Sequence, residues 1–345
     1  MMKRMFALVL SLMLFISCTA TGTGFAESKK IHIVTTIFPI YDWAREIVGN
    51  DAEHVNMTLL LDNGVDLHSY QPTAQDILTI STADLFIYVG GESDEWVEDV
   101  LESAMNPDLK AISLVEAMGD EIKTEEIVEG MEHEHDHEED HDHEDHEDHD
   151  HEDHEDHDEE HDHEHEDETD EHVWLSLRNA RKLTAVIANA LSEIDPDFGD
   201  HYQANASAYT SKLADLDGQY AETVSNAKFK TILFGDRFPF RYLADDYGLN
   251  YYAAFTGCSA ESEASFATIV FLAQKTDELG LPAVLTIEHP RTRIAETVVQ
   301  NTTSKDQKIL VLDSMQGTTA SDLQAGMTYL SVMEANLKVL KEALN

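Results

Sequence analysis

Thirteen histidines, His133, His135, His137, His141, His143, His146, His149, His151, His154, His157, His161, His163 and His165, alternate with aspartate and glutamate in one tract. Imidazole and carboxylate are ligands of zinc and related borderline cations, so the chemistry this pattern offers is metal binding. The tract has no apolar residue to bury in return for the entropy of ordering. It therefore reads as a disordered loop with several shallow, shifting sites and no fixed geometry. His133 to His137 and His137 to His141 both match the H-E-x-x-H pattern of zinc hydrolases. That pattern does chemistry when a helix with apolar neighbours holds both imidazoles on one face, and neither stretch has such neighbours.

A site of fixed geometry needs ligands on ordered elements, and four side chains stand where an element would present them. His68, in "LLLDNGVDLHSYQPTAQD", follows a strand run in a loop bounded by Gly64 and Pro72. His172, in "DEHVWLSLRNA", is the first histidine after the tract with apolar neighbours, Val173 and Trp174, to hold it. Asp236 in "TILFGDRFPF" and Asp313 in "KILVLDSM" end apolar strand runs. Such positions suit a ligand and equally a helix cap. His32, His54 and His201 read as surface or core residues without a role, and His289, beside Glu288, as an outsider near a strand end.

Positioning these residues falls to an alternation of strands and helices. Runs at 31–37, 54–61, 84–90 and 109–114 read as strands, with helices at 39–49, 73–81 and 93–104 between them. The pattern resumes at 231–236, 250–255, 283–288 and 308–315 after a helical stretch from 175 to 227 that is broken around "DPDFGD". Strands spaced by helices pair in parallel, and ligands of such sheets sit at the carboxyl ends of the strands. The expected fold is α/β, two lobes with parallel sheets joined by a helical segment, with the site in the cleft between them. The expected units are a leader and tether at 1–26, a first lobe at 30–130, the His-rich loop at 131–171, a linking segment at 172–228 and a second lobe at 229–345. At 345 residues the chain exceeds the ~250 to 300 at which single cores stop growing, which agrees with two lobes.

The net charge of −47 excludes nucleic acid as a partner. Residues 132–171 carry 26 of the 69 acidic side chains and no Lys or Arg, so the body is only moderately acidic. Lys3 and Arg4 followed by an apolar run from Phe6 to about Ser17 make an export signal, too short to span a bilayer as a helix. Cleavage falls either before Cys18, leaving a cysteine for lipid attachment to the membrane, or after Ala26, leaving a secreted or periplasmic chain. The chain has two cysteines, Cys18 and Cys258, so the fold is not stapled by disulfides.

The loop "GVDLHSYQPTAQDI", the His-rich insertion followed by "DEHVWLSLRNA", the segment "YLADDYGL" and the closing "GMTYLSVMEANLKVLKEAL" together resemble the zinc and manganese solute-binding lipoproteins of ABC importers. The likeness runs from about Lys30 to Leu344. It implies two lobes on one long rigid helix, a single metal between them, no catalysis, and delivery to a membrane permease driven by a cytoplasmic ATPase. By position the resemblance implies His68 and His172 as ligands and Asp313 as a carboxylate ligand. Where the family usually has a third His, this chain has Arg237, which cannot bind a cation. Asp236, with Glu263 in "CSAESEAS" as the alternative, is the expected replacement. Two His with two carboxylates is compatible with Mn2+, whereas the His-rich loop favours Zn2+, and zinc is the expectation. A monomeric receptor is implied. A secreted zinc hydrolase and a passive metal buffer or adhesin are the readings of other classes.

Overall fold

The computed structural model describes residues 30–49, 53–131, 168–259, 263–288 and 292–345. The leader with Cys18, all thirteen tract histidines and His289 lie outside the described residues.

In the first lobe, β1 (Ile31–Thr35), β2 (Val55–Leu59), β3 (Leu85–Tyr88) and β4 (Lys110–Ser113) form a parallel sheet in the order β2-β1-β3-β4. Helices α1 (Phe38–Val48), α2 (Ala74–Ser81), α3 (Trp96–Glu102) and α4 (Leu114–Met118) connect or follow these strands. Sequence periodicity predicts why α1 lies inward. Ile40, Trp43, Ala44 and Ile47 fall on one stripe and are fully buried, as is Phe38 on the opposite side of the first turn, with Pro39 beside it.

The second lobe repeats the plan. β5 (Thr231–Phe238), β6 (Asn250–Thr256), β7 (Ala283–Thr286) and β8 (Lys308–Val311) pair in parallel in the order β6-β5-β7-β8. Between them run α7 (Arg241–Tyr247), α8 (Phe266–Leu279) and α9 (Arg293–Asn301), and α10 (Ala320–Gln324) and α11 (Tyr329–Ala343) close the chain. In each lobe the chain leaves the first strand toward one side and later crosses to the other, so the crevice forms at the carboxyl ends of β1 and β3, and of β5 and β7.

The linking stretch is two packed helices, α5 (Leu177–Ile194) and α6 (Gly199–Asn226), separated by a short turn over Pro196–Phe198. At 28 residues α6 is the long strut of the molecule. Buried polar bonds tie both lobes to it and to α11. The Tyr220 hydroxyl on α6 donates to the Met333 carbonyl (2.6 Å), and the Tyr329 hydroxyl donates to the Trp174 carbonyl (2.7 Å). Asp42, fully buried on α1, pairs with Arg45 and accepts the Tyr329 amide at the start of α11 (2.8 Å). His54 stacks on Phe198 and bonds Asp195 and Tyr202, and His32 meets the Thr58 hydroxyl, so both serve packing.

Candidate metal centre

His68 sits on a single 3-10 turn, Leu67–Ser69, in the loop after β2. Asp66 caps that turn by accepting the His68 amide (3.0 Å). The same loop is strapped to the second lobe. The Gly64 amide, in a left-handed turn with φ +74°, donates to Thr318 O (3.1 Å), and the Ala320 amide donates to Asp62 O (2.5 Å). Arg237 at the end of β5 forms an ion pair with Asp66.

His172 immediately precedes a 3-10 turn over Val173–Leu175 and is fully buried. Val173, Trp174 and Leu175 are fully buried as well, and the Trp174 indole donates to Ser314 O of the second lobe (2.9 Å). The chain just before His172 is fixed by a bridge between Thr124 and Thr169, with the Glu125 amide donating to Glu168 O and the Asp170 amide to Lys123 O. The two ends of the segment that holds the tract are thus pinned together beside the site.

These elements bring His68 Nε2 and His172 Nε2 to 3.2 Å. His172 Nδ1 donates to Asp170 Oδ1 (3.0 Å), and His68 Nδ1 faces Ser93 Oγ (2.7 Å). Asp170 can only accept, so the His172 ring carries a proton on Nδ1 and turns its Nε2 toward His68. The two Nε2 atoms meet at a separation that one shared proton or one cation bridges. Burial chiefly, then the charge of His172, drives His68 down to about 3. Burial also pulls His172 down, but the hydrogen bond and charge of Asp170, with Glu125, outweigh it and hold this ring above its ordinary value. The proton shared by the pair therefore belongs to His172.

Carboxylates surround the pair. Burial raises Glu171 to about 7 against the opposing bonds from Ser93, and its Oε2 lies 3.7 Å from His68 Nδ1. Glu125 accepts the amides of Gly257 (3.1 Å) and Cys258 (3.2 Å) in the turn after β6. Among the described residues, two sets of potential metal ligands have donor atoms within 4.8 Å of one another: His68, His172 and Cys258, and Glu125, Asp170 and His172.

The structure brings His68 and His172 together, and it leaves Asp236, Asp313 and Glu263 out of both sets. The reason for Asp236 is the length of β5, which continues through Phe238, two residues past the expected end at Asp236. The register with β6 shifts between Phe234 and Arg237, and this bulge re-aims the side chains. Asp236 accepts its neighbour's amide (2.9 Å) and the Ile287 amide (3.3 Å). Asp313 follows β8 and caps its own turn by accepting the Met315 amide (2.8 Å). Glu263 is exposed. Asp170, Glu125 and Cys258 escaped sequence reasoning. The "DEHVW" spacing of Asp170 and the strand-end position of Cys258 in "TGCSAE" were the available signals.

Two parallel-sheet lobes on a helical strut, with strand ends and an imidazole pair facing each other at the interface, are the architecture of a bilobal solute-binding protein. Residues 33–343 match the family described as the zinc-uptake complex component A, periplasmic, and the chain belongs to that family. The zinc-binding lipoprotein AdcA of Streptococcus pneumoniae is 34% identical over 99% of this chain and 61% of its own length. The zinc-binding protein AdcA of Streptococcus pyogenes is 31% identical over 90% of this chain and 56% of its own. The chain thus spans about three fifths of the length of these relatives. The high-affinity zinc uptake system protein ZnuA of Bacillus subtilis is 29% identical, over 99% of this chain and 97% of its own. The Zn(II)-bound ZnuA-like domain of Streptococcus pneumoniae AdcA superposes with a TM-score of 0.66 at 30% identity, covering 91% of this chain and 99% of that one.

Proposed function

We propose that this protein is an extracytoplasmic receptor that captures zinc between its lobes and hands it to an ABC permease driven by a cytoplasmic ATPase, without catalysing a reaction. The observation that carries the reading is the buried pair of Nε2 atoms 3.2 Å apart, each ring held from its Nδ1 side. Two nitrogens bound to one tetrahedral zinc at ~2.0–2.1 Å lie about 3.3 Å apart, so the rings are already spaced for the ion. Supporting carboxylates that orient metal-bound imidazoles are part of such sites, and Asp170 occupies that place. The names of the relatives agree with zinc as cargo. Lipid on Cys18 would tether the receptor as a monomer beside its permease, and the His-rich tract would raise the metal concentration near the cleft.

A proton on His172 competes with the cation, and because Asp170 raises this ring above its ordinary value, binding weakens as pH falls through that raised value. The test separates the cleft from the tract. Deleting 133–167 while retaining Glu168 to Asp170, whose backbone pairs with Lys123 to Glu125, leaves the cleft intact. Calorimetric titration should then show one tight zinc per chain, abolished by His172→Ala. Loss of all tight binding on deleting the tract alone would identify the tract as the binding element and sink the receptor reading.

A further inference from the structure

The second lobe must supply a ligand if zinc is to hold the two lobes together, and the expected carboxylates lie outside the sets of donors grouped around the imidazole pair. Arg237 stands where the resemblance puts an imidazole, and among the described residues neither Asp236 nor Asp313 has a donor atom in a set within 4.8 Å that includes the two imidazoles. The turn after β6 offers another donor. Cys258 is a half-buried thiol outside any disulfide, and its Sγ lies within 4.8 Å of the donor nitrogens of both His68 and His172. Its backbone is anchored, because Glu125 accepts the Gly257 and Cys258 amides. The turn also packs directly on the ligand ring, since a Cβ at Gly257 would come within 3.1 Å of His172 Cε1 and Nδ1. Like His68, Cys258 lies beyond the carboxyl end of a parallel strand, so the two lobes present corresponding ends to one ion.

We propose that Cys258 is the zinc ligand contributed by the second lobe, as a thiolate in a set with His68 and His172. This rests on the zinc-receptor reading above. The thiol proton passes to solvent as the Zn–S bond forms, and the resulting set of two imidazole nitrogens and one sulfur is the soft one that selects zinc over manganese. Burial chiefly, then nearby Glu125, Asp170 and Glu171, pushes the unliganded thiol well above its usual range, and the same carboxylates favour a divalent cation in the pocket.

Cobalt(II) tests the assignment on the full-length reduced chain, because a thiolate bound to cobalt gives an intense near-ultraviolet charge-transfer band that imidazole and carboxylate do not. The first equivalent of cobalt should produce that band together with the visible bands of tetrahedral cobalt. Cys258→Ser should lose the charge-transfer band, keep binding through the imidazoles, and bind zinc more weakly by a factor beyond the roughly 10–100-fold that loss of a supporting partner costs. Its preference for zinc over manganese should narrow. A tight first equivalent in the wild type without the band overturns the Cys258 assignment and leaves the receptor standing, as does a band that survives in Cys258→Ser and so reports Cys18. Absence of any tight equivalent in the wild type removes the receptor reading itself. Cys18→Ser, which leaves Cys258 as the single thiol, should keep the band, and its loss there overturns the assignment even if Cys258→Ser folds poorly.

Discussion

Replacing Asp170 by Asn keeps an acceptor for the His172 amide (2.9 Å) and for Nδ1 (3.0 Å) while deleting the charge behind the ring. Both side chains are at most 2% exposed, so neither water nor salt screens the loss. What counts is the extra stabilisation a carboxylate gives when the ring takes on the charge of a cation at Nε2. Loss of such partners lowers metal affinity by roughly 10–100-fold, about 1.4–2.8 kcal/mol. The same charge also stabilises the competing proton, so the effect depends on pH in a defined direction. In the wild type, Asp170 raises the His172 pKa, and affinity falls as pH drops through that raised value. In Asp170→Asn the ring holds its proton less well and proton competition begins at lower pH. The ratio of zinc dissociation constants, variant over wild type, is therefore largest near pH 8 and shrinks toward about pH 6. Competition against a chromophoric chelator across that range measures it, with metal-free melting temperatures as the control for folding. An unchanged dissociation constant near pH 8 in a normally folded variant would refute the role assigned to Asp170, and a ratio that grows on acidification would refute the proton competition.

Two further outcomes follow from the same geometry. Gly257→Ala puts a methyl group 2.9 Å from Phe238 O and 3.1 Å from His172 Nδ1, an overpacking of the kind that costs about 1–3 kcal/mol; zinc affinity measured by calorimetry should fall by about tenfold or more. Arg237→Gln removes a fixed positive charge that disfavours cations on both rings and breaks the ion pair that ties Arg237 to Asp66 across the lobes. Denaturant melts should show the metal-free chain destabilised by about 1–3 kcal/mol, while zinc titration shows tighter binding; weaker binding would contradict the electrostatic account.

The alternation of apolar runs with amphipathic helices was enough to define eight strands, the parallel pairing and the break between α5 and α6, because burial on both faces of a parallel strand leaves a continuous apolar signature. The neighbours Val173 and Trp174 likewise marked His172 as ordered, and both are fully buried. The strand end at Asp236 was misplaced because a bulge at Gly235 and Asp236 interrupts the register without interrupting the strand, and no local pattern announces it. Asp236 and Asp313 each accept a backbone amide, and whether a strand-end acid caps a turn, faces a ligand or does both is set by packing that local sequence does not encode.

The sequence by itself determined the class of the fold and the metal-seeking composition and singled out His68 and His172, which the structure brings together, since each depends on residue type and on periods of a few residues. Only the tertiary structure decided which donors converge. Cys258 lies 86 residues from His172 and 190 from His68, and Glu125 reaches its amide from the far side of the tract. Ligand sets are made by the meeting of strand ends from two sheets, and that meeting is fixed by packing along α6, α11 and Trp174, which no local stretch of chain encodes.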